Sequence, residues 1–411
     1  FQAEDGIRDF CLSRGLGDVY KRQDVERIEV VKGAMSALYG SSAMGGVINV
    51  ITRENKAPFA ATIMSDFGTY GRRGQDGKID RRQLGGNLSW RKERASGEFA
   101  FDWRDTDGYD LTPGSWSTQG DSGSRLNLDF TGRYQLTDQW QLQFTPGYYR
   151  ESLERQFARR RPGVGEIPFI KGELAKRYRL GGGTKWLDHQ YNRQFDFTFL
   201  HDYFDDKTWQ DNVRTQPRDQ QRHAKHGLTR ADLSWQQPLG EQAHLTTGAL
   251  LQRETLEQTQ IKNDRGRITR VDEIGGKATR RAREVFVQAS VFTFSDQLEL
   301  LPGVRYQHDS DFGSKWTPKI NFMWTPGKVL GRPLYLRGGV GQGYRVPNLK
   351  ERYYIFDHSA LGYIVLGNPA LGPEQSTSIQ LGAEWLNPAT GFKLDLNFYH
   401  NRIKDLISIV N

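Results

Sequence analysis

The chain has 411 residues, of which 36% are hydrophobic and 12% aromatic, and its mean hydropathy is −0.70. No apolar run approaches the about 20 residues of a membrane-crossing helix, and stretches such as Val285 to Val287 stop after a few positions. The formal charge of +8 is interspersed with carboxylates and does not argue for nucleic acid, and the single cysteine, Cys11, excludes a disulfide framework or a cysteine-based metal cluster.

Residues 1 to 23 lack a starting Met and the apolar core of a signal peptide, and they follow neither helical nor strand period. The string AEDGIRD followed by SRGLGDVYKRQ resembles a translation of sequencing-adapter DNA, so this stretch is expected to carry no domain. Its four basic and four acidic residues cancel, so the +8 does not depend on it. Residues 24 to 55 read as a strand (DVERIEVVKG), a short helical turn (AMSALYG) and a second strand (GGVINVITR), a small α/β piece.

From about residue 60 onward the dominant period is two. GEFAFDWR (97 to 104), RLNLDFTGRY (125 to 134), QWQLQFTPGYY (139 to 149) and RQFDFTFLHDYF (193 to 204) alternate apolar and polar positions, and the pattern returns in EVFVQASVFTF (284 to 294) and FKLDLNFYH (392 to 400). About fourteen such segments are expected, many near the roughly 10 residues that a tilted strand needs to cross a bilayer. Leu136-Thr137-Asp138 and Ser295-Asp296 read as tight turns, whereas 150 to 190, 205 to 225, 255 to 281 and 344 to 374 read as long charged loops.

Short turns alternating with long loops suit an all-β fold, a transmembrane antiparallel β-barrel whose polar interior explains the low hydropathy. Tyr148, Tyr149, Tyr203, Trp235, Tyr306, Trp316, Trp324, Tyr344 and Tyr399 fall near strand ends, where aromatic girdles sit. A soluble solenoid, propeller or sandwich would also alternate, but no short internal repeat supports the first two.

DVERIEVVKGAMSALYGSSAMGGVINVITR (24 to 53) closely resembles the C-terminal end of the plug domain of TonB-dependent outer-membrane receptors. Tyr344-Arg345-Val346-Pro347 resembles that family's aromatic-Arg-Ala-Pro box, with Val346 in place of Ala. Asn368-Pro369-Ala370-Leu371, followed by Pro373-Glu374, resembles its Asn-Pro-x-Leu-x-Pro-Glu box. The resemblance implies a 22-stranded barrel occluded by a plug and energised by the TonB complex of the inner membrane. It divides the chain into 24–57, the end of the plug, and 58–411, an incomplete barrel. The TonB box and most of the plug are expected ahead of Asp24, and about eight strands after Asn411.

Function then reads as uptake of an iron chelate, haem or ferric siderophore, or of cobalamin, across the outer membrane of a Gram-negative bacterium. Alternatives are an outer-membrane hydrolase, a passive porin or a fragment with no function of its own. No G-x-S-x-G motif supports a hydrolase, and a porin would not carry segment 24 to 55. Glu26, Arg27, Glu29, Lys32 and Arg53 are expected at the plug–barrel interface, where buried charges persist only when paired.

In haem receptors of this family a histidine between the two boxes ligates iron, and His358 occupies that interval here. Tyr353, Tyr354, Phe356 and Tyr363 would stack on the ring, with haem as transported substrate and no resident cofactor. Arg159, Arg160 and Arg161, and Arg280, Arg281 and Arg283, are expected in loops that meet an anionic chelate or lipopolysaccharide phosphates. His223 and His226, three apart, make a weaker metal candidate.

Overall fold

The computed structural model describes residues 25–32, 46–52, 57–70, 79–112, 114–216, 218–264, 266–358 and 363–409. Strands β1 (Val25–Lys32) and β2 (Gly46–Thr52) form an antiparallel pair with Val30 opposite Ile48. These are the two strands expected of segment 24 to 55, and the helical turn expected between them lies outside the described residues.

Among the described residues most of the remaining architecture is one antiparallel sheet of sixteen strands. It begins with β3 (Phe59–Gly68), β4 (Arg81–Lys92), β5 (Ala95–Thr106), β6 (Ser122–Gln135), β7 (Trp140–Arg161) and β8 (Gly165–Asp188). It continues with β9 (Arg193–Asn212), β10 (Gln220–Pro238), β11 (Ala243–Asp264), β12 (Arg267–Asp272), β13 (Ala278–Thr293), β14 (Leu298–Asp309), β15 (Gly313–Val329) and β16 (Arg332–Arg345). Between β16 and the last strands, β19 (Glu374–Asn387) and β20 (Phe392–Lys404), lie the five-residue helix α1 (Leu349–Tyr353) and the small hairpin β17 (Ile355–His358) and β18 (Tyr363–Leu366). Spatial order follows chain order, with β12 folded onto β11 and β16 beside β19. Among the described residues β3 and β20 are the two edges of this sheet.

At one end the links between strands have four residues or fewer, whereas the other end mixes three-residue links (162–164 and 310–312) with the long segment 346–373. Between β15 and β16 only Leu330 and Gly331 turn the chain, both at positive φ (51° and 75°), the backbone of a primed hairpin turn that matches strand twist. At the opposite end the stretches expected as loops at 150 to 190, 205 to 225 and 255 to 281 are mostly strand. β7 and β8 run for 22 and 24 residues and pair along their whole length, Trp140 with Trp186 and Arg161 with Gly165. They are about twice the length a bilayer crossing needs, so they stand well beyond it.

The period of two sorts the side chains. One face carries exposed Leu142, Phe144, Leu180, Phe197, Phe199, Leu233, Val285 and Ile320, an apolar surface far too continuous for water. An open apolar groove on this face runs between Leu298, Phe322 and Trp324. The other face carries polar side chains, closed into ion pairs such as Arg177–Asp202 at 2.8 Å and Arg305–Glu284 at 2.6 Å.

Aromatic rings bound the apolar face in two rows. Trp140, Trp186, Phe195 and Trp235 are successive cross-strand partners near the short-turn end, as are Tyr148, Tyr178 and Tyr203 towards the other end. The rows lie eight positions apart on each strand (140 to 148, 178 to 186, 195 to 203), and Trp316 and Trp324 repeat that interval on β15. Eight residues at about 3.3 Å, tilted by the about 40° usual for barrel strands, span roughly 20 Å along the barrel axis. Tyr149 and Tyr344 do not belong to these rows, contrary to expectation. Tyr149 follows Tyr148 and so points to the opposite face, where it is buried, and Tyr344 is buried beneath the Lys315 ammonium.

Candidate functional site

The segment after β16 folds back into the concave side of the sheet, and two short sequence motifs fasten its base. Arg345 and Glu374 are ladder partners on β16 and β19, and their side chains form an ion pair at 2.7 Å. The same guanidinium pairs with Glu351, the third residue of α1. Asn348 caps that helix reciprocally: its side chain accepts from the Glu351 amide, and its own amide donates to the Glu351 carboxylate, each at 2.8 Å. Pro347, ahead of the cap, cannot continue the β16 ladder because it has no N–H.

Asn368 donates its amide to the Glu351 carbonyl at 3.0 Å and accepts from the Ala370 and Leu371 amides, so the Asn368-Pro369-Ala370-Leu371 turn closes against α1. Tyr344, Arg345, Pro347, Asn368, Pro369 and Leu371 therefore define the base of one loop.

From this base the loop reaches strands far along the sheet. The Leu349 amide donates to the buried Glu254 carboxylate on β11 at 3.3 Å. Arg352 pairs with Asp311 and lies over the Phe312 ring. Gln258 on β11 treats Ile355 as a neighbouring strand would, donating to its carbonyl at 2.8 Å and accepting from its amide at 3.0 Å. Tyr354 donates its hydroxyl to Asp206 on β9 at 2.9 Å, and burial together with that carboxylate raises the phenol well above its usual value. The loop thus bridges β9 and β16 across the intervening strands, so the sheet curves around it.

Behind these contacts lies a buried charge network. Glu254 accepts from His226 at 3.0 Å and pairs with Arg280 at 3.1 Å, and Arg280 reaches Asp309 at 3.4 Å. Glu254 and Asp309 carry no pattern that marks them in the sequence, since each is one polar residue among many on a polar face, whereas Arg280 and His226 were expected in other roles, an anion-binding loop and a metal site.

The expected ligand residues divide. Tyr353 lies against the Arg352 guanidinium and Tyr354 faces the wall. His358 pairs with Tyr363 across the β17–β18 hairpin that also contains Phe356, and the side chains of these three lie outside the described residues. Arg159, Arg160 and Arg161 stand on β7, not on a loop. Strand alternation splits them: Arg159 packs over the Phe157 and Phe169 rings at 5.7 and 5.0 Å, while Arg160 is exposed on the opposite face.

Arg280, Arg281 and Arg283 likewise belong to β13, with Arg280 buried inward and the other two exposed outward. His223 and His226 also diverge, the first to Asp205 and the second to Glu254, because three positions along a strand reverse the face. No group of three or more metal-ligating side chains exists among the described residues.

On the β1–β2 pair, Arg27 and Asn49 donate to Glu29 at 2.8 and 3.2 Å, and these hydrogen bonds hold its carboxyl below the usual value. The side chains of Glu26 and Lys32, and all of Arg53, lie outside the described residues.

The family model described as TonB dependent receptor-like, beta-barrel matches residues 67–411. This chain belongs to the TonB-dependent receptor family. The TonB-dependent Receptor Plug Domain model matches residues 10–47, beginning inside the segment expected to be foreign. The receptor is 26% identical over 414 residues to the iron-regulated outer membrane virulence protein of Vibrio cholerae serotype O1, covering 94% of this chain and 54% of that protein. It is 24% identical over 482 residues to a ferric enterobactin receptor of Pseudomonas aeruginosa, covering 99% and 59%.

The chain thus spans a little over half the length of these curated relatives. The crystal structure of the siderophore receptor PirA from Pseudomonas aeruginosa superposes with a TM-score of 0.66 at 22% identity, covering 92% of this chain and 62% of that one, a likeness of fold. The all-β antiparallel barrel wall read from the alternating pattern is the wall of this family, with sixteen strands among the described residues where about fourteen were expected.

Proposed function

We propose that this receptor lies in the outer membrane of a Gram-negative bacterium and imports an iron chelate, a ferric siderophore, with energy delivered by the TonB complex. The observation that carries this reading is the folded-back loop between β16 and β19, held to the inner wall by ion pairs and hydrogen bonds beyond an apolar base of Val346, Pro347 and Leu349. The polar contacts at Arg352, Tyr354 and Ile355 can be exchanged for water or for a polar ligand while that base stays in place. The names of the Vibrio and Pseudomonas relatives, one iron-regulated and one a receptor for ferric enterobactin, support iron as the cargo.

Residues 24–57 serve as the end of the plug and 58–411 as the barrel wall. The long-loop end faces the outside, as extracellular loops of such barrels are the longer ones. There Arg159, stacked over Phe157 and Phe169, offers an anionic chelate a cationic and aromatic surface.

The test expresses the full-length receptor in a Gram-negative strain lacking its own siderophore, haem and cobalamin receptors. Uptake of radioactive iron from ferric enterobactin, abolished by deleting the TonB gene, is the expected result. Growth on haem alone, lost in His358→Ala, would move the cargo to haem with that imidazole as iron ligand. Uptake of cobalamin alone would overturn the iron reading, and entry without TonB would replace the gated receptor with a passive pore.

A further inference from the structure

The outward face carries a charge cluster that the transport reading leaves unused. Arg253 on β11 and Arg281 on β13 are direct cross-strand partners, and Leu251, two residues before Arg253, is opposite Arg283. Arg283 is in turn the partner of His308 on β14. Arg253, Arg281, Arg283 and His308 are all exposed on the side that carries Leu251 and Val285. Among the described residues the three guanidiniums have no ion pair or side-chain hydrogen bond.

Like charges directly opposite each other on a sheet are destabilising, so the Arg253–Arg281 pair, with Arg283 at the next outward position of β13, favours an anion that meets all three. By contrast, Glu257, outward on the same strand as Arg253, is neutralised by Lys277 at 2.8 Å.

Depth identifies the anion. Val285 is opposite Tyr306, which is opposite Trp316, and the two rings pack at 4.8 Å in the aromatic row nearer the long-loop end. Arg283 and Arg281 are the next two outward-facing positions beyond Val285 in that direction. His308 is the next beyond Tyr306 and bonds Ser314, as the Tyr306 hydroxyl also does. The arginines therefore begin where the apolar band stops, at headgroup height.

We propose that Arg253, Arg281 and Arg283 bind the phosphate of a phosphorylated lipid headgroup in the outer leaflet, with its acyl chains lying on Leu251, Val285 and Val287. Guanidiniums suit phosphate because their paired N–H groups match its oxygens. The inference is independent of the cargo, resting only on the outward face being the lipid face.

The test uses the complete receptor, delipidated in detergent and examined by native mass spectrometry. Bis-phosphorylated lipid A is titrated against the same lipid stripped of phosphate, and inorganic phosphate serves as competitor. The phosphorylated lipid should remain bound, the stripped lipid should not, and millimolar inorganic phosphate should displace little.

The combined change Arg253→Gln, Arg281→Gln and Arg283→Gln should weaken retention about a hundredfold, at roughly one order of magnitude or less per charge. The corresponding lysine variant should keep most of it, and heat-modifiable gel mobility reports that the barrel is folded. Where the triple variant does not fold, Arg281→Gln and Arg283→Gln singly should each weaken retention about fivefold. Equal retention by the glutamine variants or equal binding of the stripped lipid would overturn the proposal. Displacement by inorganic phosphate at matching affinity would overturn it in favour of a site for a free anion.

Discussion

Arg345 and Glu374 stand 29 residues apart in the chain yet face each other as ladder partners with a 2.7 Å ion pair, and the same guanidinium reaches Glu351 in the loop they enclose. Glu374 is almost fully buried and also accepts from the Ile407 amide. Removing the arginine leaves two carboxylates facing each other with no cation. Arg345→Gln should therefore destabilise the loop base by about 3 kcal/mol, and Glu374→Gln by less, because a neutral amide can still accept. Amide hydrogen exchange across 346–373 should quicken in that order, and equal exchange in both variants would remove the pair from its assigned role.

Tyr354 should resist ionisation. Its phenol is raised by burial and by Asp206, so the folded receptor keeps the proton at a pH where an unfolded tyrosine, near 10, has lost it. A group raised on folding contributes its stability below the unfolded value and loses it as pH climbs towards the folded one. Docking of the loop should thus be intact through neutral pH and weaken only above about 10. The absorbance at 295 nm that titrates latest should fall by one tyrosine's worth in Tyr354→Phe, whose alkaline step in loop exchange should also be lost.

Gln258 substitutes for a strand by bonding both the amide and the carbonyl of Ile355. Gln258→Ala leaves both groups without that partner beside a fully buried site and should cost about 1–3 kcal/mol. Gln258→Glu should fall between, since a carboxylate accepts from the amide but cannot donate to the carbonyl. The Ile355 amide should exchange fastest in the alanine variant, and protection unchanged by either substitution would show that the loop is held from elsewhere.

Adjacent residues on β7 test the assignment of faces. Phe144 is half exposed on the apolar side between Trp140 and Tyr148, and Gln143 points to the polar side. Phe144→Arg should destabilise the barrel in a bilayer by about 2–4 kcal/mol, whereas Gln143→Arg at nearly the same depth should be close to neutral. Unfolding in urea from lipid vesicles measures both, and the reverse ranking would turn the sheet inside out.

What the sequence disclosed depended on whether hydrocarbon was there to impose a pattern. Within the membrane band one face must be apolar, so QWQLQFTPGYY and RQFDFTFLHDYF announce themselves as strands. Above it both faces of β7 and β8 are wet, and ESLERQFARRR reads as an irregular charged stretch although it pairs residue by residue with β8. The motifs around Arg345 and Asn368 were legible because resemblance picks them out. Glu254, Gln258, Asp206 and Asp311 were not, since nothing in their immediate sequence tells a residue that clasps a loop from one that is merely solvated. The clusters at 159 to 161 and 280 to 283 misled for the opposite reason: contiguity in a strand distributes charges between two environments.

The interval of eight residues between the aromatic rows has a consequence for the bilayer itself. A wall of roughly 20 Å is shorter than the about 30 Å of an average hydrocarbon core, so lipids must compress where they meet it. That mismatch favours short or loosely packed acyl chains, and it disfavours residence in thick, ordered membranes. Reconstituted in phosphatidylcholines of increasing chain length, the receptor should lose folded yield as the chains grow, with the thinnest bilayers retaining the most.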